Sequence, residues 1–324
     1  MKLHAKANLK VAGYYRLQVM RDGKCKHDTG WFRNLITNQG LDWVGFGTPV
    51  YLTTYGGNYL NTHCGVGTGT TPPSYTDTTL TAPLAMYPAP GSNVEGGTLT
   101  YVAGPPPYWS CIWTYSFATG AVVGNLTEVG VGGISSGTAT TPQLFSHALI
   151  LDGSGNPTTL PVTSADALQV TYELRYYIDT TDNSYSMNIS GTTYTGTYRR
   201  MQITTVPGIY FPVFGAYNGS ATYDVIFYAY SGFSLGPITG NPSYSSTTSP
   251  SDISISNTAY VSGTYYCEFT SFAGLTVANF AGGLTGFSTS CNHGQYQFSV
   301  SPAIPKTSSY TLSIVWHVSW SRYP

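Results

Sequence analysis

The sequence predicts an all-β protein: two tandem, duplicated antiparallel β-sandwich domains, with jelly-roll or immunoglobulin-like connections, behind a basic N-terminal arm. Three observations carry this. The 324 residues include 28 Tyr, 37 Gly and 20 Pro; aromatic and branched side chains suit a pleated surface, while Gly and Pro punctuate it with turns. Only 8% of residues are charged, and the Ala/Leu/Glu/Lys patterning of amphipathic helices is almost missing. Finally, Leu168, Val170, Tyr172, Leu174 and Tyr176 alternate with polar or small residues, and Leu312, Ile314, Trp316, Val318 and Trp320 do the same. That period of two marks strands with one buried face.

Residues 1–30 read as the arm. The basic residues Lys2, Lys6, Lys10, Arg16, Arg21, Lys24, Lys26 and Arg33 stand against Asp22 and Asp28, a balance of +6 that leaves −7 for the remainder of a chain whose net charge is −1. No Lys or Arg follows between Asn34 and Leu174. A basic segment on a weakly acidic body is expected to anchor on an acidic protein surface. The competing reading is a first strand with a solvated face, because Tyr15, Leu17 and Val19 alternate and run into the turn Arg21-Asp22-Gly23-Lys24. The arm lacks the interleaved Arg and aromatic residues of a single-strand binder, which makes nucleic acid an unlikely partner. Its scattered charges interrupt any apolar run of signal or spanning length, so no membrane insertion is expected and synthesis in a host cytoplasm is. Cys25, Cys64, Cys111, Cys267 and Cys291 form an odd set without paired spacing, as free thiols would.

The body reads as one unit written twice. Gly40, Phe46 and Gly47 return as Gly208, Phe214 and Gly215, and Pro73-Ser74-Tyr75 returns as Pro242-Ser243-Tyr244. Cys111 and Thr114 return as Cys267 and Thr270, and the Leu168 strand returns as the Leu312 strand. The offset shrinks from 168 or 169 through 156 to 144, the trace that loop deletions in a second copy would leave. The expected boundaries are a first sandwich over 31–178, a polar connector over 179–198 able to hold a hairpin, and a shortened second sandwich over 199–324.

Trp31 to Asp42 (WFRNLITNQGLD), Cys64 to Pro73 (CGVGTGTTPP) and Asp77-Thr78-Thr79-Leu80, continued by Glu128-Val129-Gly130 and Leu144-Phe145-Ser146, resemble a segment of structural proteins of tailed-bacteriophage virions. The resemblance covers residues 31–177 and implies a tail, fibre or collar appendage assembled as a symmetric oligomer. Read from the residues themselves, Gly65, Gly67 and Gly69 with Pro72 and Pro73 form a packing loop in which backbone approaches a neighbour closely. A phosphate cradle would need a Gly-Lys-Ser/Thr ending and a following helix, and neither pattern is present.

Catalysis would need two positioned carboxylates or a nucleophile with a base. Asp42, Asp77, Glu95, Glu128, Asp152, Asp166, Glu173, Asp179 and Asp182 are the available carboxylates, mostly in turn-like contexts. Glu173 is expected to face away from the buried side and to pair with Arg175. No pair stands out, and the chain reads as non-enzymatic, without cofactor or metal. Cys25-Lys26-His27, His63-Cys64 and Cys291-Asn292-His293 lack knuckle spacing, and Asp179, Asp182 and Asn183 lack the rest of a calcium framework. Aromatic residues are the abundant recognition chemistry, with Tyr51, Tyr55, Tyr59, Tyr108 and Trp109 as a contact surface, whether for subunits or sugar rings.

These readings converge on a virion structural component, with itself and other virion proteins (portal, tail or capsid) as partners. A receptor- or glycan-binding fibre or spike is the alternative, and a capsid decoration protein is a variant of the first. A depolymerase is the enzymatic competitor.

Overall fold

The computed structural model describes residues 2–45, 63–87, 93–133, 143–205, 225–258, 260–291 and 294–324. The chain is all-β, as its composition requires. In order come β1 (Lys2–Arg21), β2 (Lys24–Asp28), β3 (Phe32–Arg33), β4 (Leu35–Ile36), helix α1 (Asn38–Gly45), β5 (His63–Gly67), β6 (Pro83–Tyr87), β7 (Asn93–Val102), β8 (Tyr108–Phe117), β9 (Gly124–Leu126), β10 (Glu128–Gly133), β11 (Gln143–Leu149), β12 (Leu160–Val162) and β13 (Ala167–Tyr177). There follow β14 (Asn183–Ile189), β15 (Thr192–Met201), β16 (Ile226–Ser231), β17 (Ser246–Thr247), β18 (Ile253–Asn257), β19 (Tyr266–Ala273), β20 (Leu284–Cys291), β21 (Gly294–Ile304) and β22 (Leu312–Arg322). Two compact units result: described residues 10–44, 63–177 and 321–324 form the first, and 2–9, 45 and 178–320 the second.

In the first unit one sheet runs β1-β13-β8-β7, with β2 and β3 also on β1, and the other runs β4-β11-β10-β5-β6. Between the sheets lie fully buried Tyr15, Leu17, Val19, Trp113, Tyr115, Val129, Val131, Leu168, Val170 and Tyr172. Tyr15 shares a 2.8 Å hydroxyl contact with Ser146 of the opposite sheet, and Tyr87 of β6 packs edge-on against Tyr115. A separate small sheet pairs β9 with β12.

In the second unit one sheet runs β18-β19-β22, followed by β1, and the other β14-β15-β21-β20-β16-β17. Its core includes Phe227, Phe287, Phe298, Ile314, Trp316, Val318 and Trp320. The strand orders correspond: β4, β11, β10, β5 and β6 match β15, β21, β20, β16 and β17, while β13, β8 and β7 match β22, β19 and β18. In each unit the last long strand sets an apolar residue opposite a cysteine. Leu174 lies opposite Cys111, and Val318 opposite Cys267.

Three expectations are revised. The arm over 1–30 is not a separate segment: β1 is a sheet strand whose Leu9, Val11, Tyr15, Leu17 and Val19 are buried, since these odd positions share one face. The connector over 179–198 is the hairpin β14–β15, and β15 pairs with β21. An eight-residue helix occurs where none was expected, because Thr37 caps it: its Oγ1 accepts the Gly40 amide at 2.9 Å and donates to the Leu144 carbonyl at 2.7 Å.

Candidate functional site

Residues of the Cys64–Pro73, Asp77–Leu80 and Glu128–Gly130 phrases converge on one place, the outer face of the β5–β10–β11 sheet. Here Gly65 pairs with Gly130 and Gly67 with Glu128. Alternating glycines pave this face, and the loop between β5 and β6 folds back over it. Leu80 of that loop lies on both Gly65 and Gly130, where added Cβ atoms would come within 3.0 Å of its methyls. A Cβ at Gly67 would collide with the Ala82 carbonyl and the Glu128 side chain.

Glu128, fully buried, holds the loop down. Its Oε1 accepts the amides of Gly69 at 3.1 Å and Ala82 at 2.7 Å, and its Oε2 accepts the amide of Thr81 at 3.0 Å. His147 of β11 completes the set: Nε2 is 3.0 Å from Glu128 Oε2, and Nδ1 is 2.7 Å from Asp77 Oδ2. Each ring nitrogen of His147 thus faces a carboxylate oxygen. Asp77 in turn accepts the Ser74 amide at 2.7 Å. The constellation therefore spends its acid–base groups on loop backbone and on one another. Asp77 and Glu128 were visible as carboxylates in the sequence. His147 was not singled out, since its partners lie 19 and 70 residues away and no local pattern joins them.

The second unit holds its loop with an amide and a guanidinium, Arg199 Nη1 donating to the Gly236 carbonyl at 3.2 Å. The loop between β16 and β17 folds back with Phe233 on Gly286, where a Cβ would strike the ring. Gln297 of β21, fully buried, accepts the Gly236 amide through Oε1 at 2.7 Å and donates through Nε2 to the Gly236 carbonyl at 3.0 Å.

Four of the eight cations expected to anchor are paired within the chain. Arg16 binds Asp28, Arg21 and Lys26 flank Asp166, and Arg33 donates to the carbonyls of Tyr323 and Pro324. The Arg16 guanidinium holds the Asp28 carboxyl down to about 2, and Arg21 with Thr163 holds Asp166 well below the usual carboxylate range. Lys10 is half-buried and Lys24 exposed, while Lys2 and Lys6 lie where β1 is described by its backbone alone.

Of the expected aromatic surface, Tyr51, Tyr55 and Tyr59 lie outside the described residues. Trp109 is buried and belongs to the core. Tyr108 lies on the outer sheet face, where the Arg175 guanidinium sits between its ring (4.8 Å) and that of Tyr14 (4.1 Å). Glu173 pairs with Arg175 at 2.7 Å. Burial, with the Tyr14 hydroxyl alongside, pushes Tyr177 up to about 12.

Asp179 accepts hydrogen bonds from Thr181, and Asp182 pairs with Arg199. No group of three His, Cys, Asp or Glu side chains among the described residues is placed to hold a metal ion, and no helix among them is long and apolar enough to cross a membrane. Cys25 is exposed and the other four cysteines are buried free thiols. Comparison with protein families, curated proteins and solved structures finds no match to this chain.

Proposed function

We propose that the chain is a non-enzymatic structural subunit of a tailed-phage virion, of the tail or collar appendage kind, and that its two units descend from one duplicated sandwich. The observation that carries this reading is where the virion-like motif goes. Its threonine caps α1 against β11, its glycines admit the covering loop, and its aspartate and glutamate fasten that loop through His147. A motif used to stiffen a sandwich suits a protein whose work is to hold shape in an assembly. Matching strand order and register in the two units support the duplication, and the β9–β12 sheet is a first-unit addition that accounts for part of the shrinking offset.

Few charged side chains favour packing against further copies and against portal, tail or capsid proteins, since few ions must be desolvated on assembly. The pairing of Arg16, Arg21, Lys26 and Arg33 inside the fold moves the attachment surface away from a free basic arm. Symmetry-resolved cryo-electron microscopy of intact particles tests the proposal. A ring or cluster of copies on the tail axis is expected. Copies distributed over the shell would make it a decoration protein, and absence from particles would overturn the virion reading.

A further inference from the structure

Two units with one strand order allow a comparison inside a single chain: features kept in both while their surroundings diverge. The β5–β6 loop is fastened by Glu128, His147 and Asp77, the β16–β17 loop by Gln297 and Arg199. Yet both loops keep Pro-Ser-Tyr, as Pro73-Ser74-Tyr75 and Pro242-Ser243-Tyr244. Core packing does not account for the two tyrosines, which are 52% and 48% exposed.

Both rings are held from behind. The Arg322 guanidinium lies 4.1 Å from the centre of the Tyr75 ring. That guanidinium is itself fixed, with Nε donating to the Ile36 carbonyl at 2.6 Å and Nη2 to Asn38 Oδ1 at 2.7 Å. Tyr244 rests on Tyr230, centroid to centroid 4.6 Å, and Tyr230 is pinned by a 2.7 Å hydroxyl contact with Ser288. The backbones are fixed as well: the Tyr75 carbonyl accepts the Asn38 amide at 2.7 Å, and both residues flanking Tyr244 are paired, Ser243 with Ser234 and Ser245 with Ser231. One face of each ring is thus covered, and the opposite face with its rim is left to solvent in a preset orientation. Little side-chain entropy remains to be lost on binding.

Apart from the Arg322 guanidinium behind Tyr75, the sequence neighbours of both rings carry hydroxyls rather than charge. Ser74 and Thr76 flank Tyr75, and Ser243 and Ser245 flank Tyr244. No charged residue occurs from 225 to 251, and the one carboxylate in the first loop, Asp77, is occupied by His147 and the Ser74 amide. A fixed aromatic face with hydroxyl-bearing residues on either side in the chain matches the C–H face and hydroxyl rim of a pyranose.

We propose that Tyr75 and Tyr244 are two equivalent stacking sites for neutral pyranosyl glycan, one in each unit. The inference rests on the proposed duplication but not on the virion reading, and would hold for the free protein.

The test is titration of the full chain with neutral hexasaccharides of glucose, galactose, mannose and N-acetylglucosamine, followed by calorimetry and by NMR of the tyrosine rings. At least one series is expected to bind at two sites per chain. Tyr75→Ala and Tyr244→Ala should each remove one site, lowering affinity there about tenfold or more, the loss of one aromatic stacking contact. Tyr75→Phe and Tyr244→Phe keep the ring and should keep both sites; because they disturb packing least, they also separate loss of stacking from loss of folding. Failure of all four series to bind would overturn the proposal, as would binding unchanged in the double alanine variant. Loss of self-association in that variant without saccharide binding to wild type would reassign both tyrosines as subunit contacts.

Discussion

The β5–β6 loop of the first unit and the β16–β17 loop of the second lie over corresponding glycine-bearing faces, but they are fastened by different chemistry. In the first, one buried carboxylate accepts three backbone amides and meets a histidine whose other nitrogen faces a second carboxylate. In the second, one buried primary amide both accepts from and donates to Gly236. Amide and carboxylate are similar in shape and differ in charge. A fully buried ion repays its desolvation only when every lone pair is used, and Glu128 meets that condition with four partners. Gln297 reaches further carbonyls as well, its Nε2 lying 3.3 Å from that of Arg200 and 3.5 Å from that of Pro237. The difference teaches that the fold requires the covering loop, while the means of holding it is free to change.

The same contrast recurs where the chain turns into the last strand of each unit. Ahead of β13, Asp166 is covered and flanked by Arg21 and Lys26. Ahead of β22, Lys306 is buried and donates to Asn279 Oδ1 and to the carbonyls of Leu275 and Thr307. Burial holds the Lys306 ammonium below its ordinary pKa.

The largest effect that could break this comparison is at Glu128. Replacing it with Ala strands three amides and leaves His147 without its buried partner, and should cost about 3–5 kcal/mol, against about 1–3 kcal/mol for Gln297→Ala. Urea titration of both variants measures the gap, and equal losses would contradict the distinction drawn between the carboxylate and the amide as fasteners. Next come Gly130→Ala and Gly286→Ala. The first places a Cβ 2.6 Å from a Leu144 methyl and the second drives one into the Phe233 ring. Each is expected to lower stability by about 1–3 kcal/mol through overpacking, and thermal unfolding that leaves either unchanged would show that the loop can lift without cost.

Thiol chemistry sharpens the comparison without mutation. Burial pushes the corresponding Cys111 and Cys267 both up to about 12, and Cys64 higher still. A thiol reagent at neutral pH should therefore label Cys25 alone in the native protein and all five cysteines after denaturation. Rapid native labelling of Cys267 but not Cys111 would show the second unit opening independently. The smallest effect concerns acid. Asp28 and Asp166 have folded pKa values depressed by Arg16 and Arg21, so their stabilisation is complete above the ordinary carboxylate pKa. It fades as pH falls below about 4, and the Asp28 part is lost through about 2. Asp28→Asn should reduce stability by less than about 1 kcal/mol at neutral pH, and the difference from wild type should vanish in acid.

Much of the fold was legible because β13 and β22 announce themselves: every second residue from Leu168 to Tyr176 is fully buried, and Leu312 to Trp320 follow the same alternation. The first strand was partly legible. Lys2, Lys6, Lys10 and Arg16 all fall on even positions, opposite in parity to buried Leu9, Val11, Tyr15, Leu17 and Val19, so charge clustering resembled an arm while charge parity recorded a strand face. Thr180 to Thr197 looked like a linker because edge strands such as β14 carry polar residues on their solvent side. The site was the least legible part. Glycine spacing pointed to close backbone approach, but which side chain approached depended on pairing β10 with both β5 and β11, and only that register brings Glu128 and His147 together.

The account rests on Glu128 as the fastener of the covering loop, and native-state hydrogen exchange tests this most directly. The Gly69, Thr81 and Ala82 amides should be protected in the wild type and should lose that protection together in Glu128→Ala, while the Gly236 amide held by Gln297 keeps its own. Free exchange of those three amides in the wild type, or their continued protection in the variant, would contradict it.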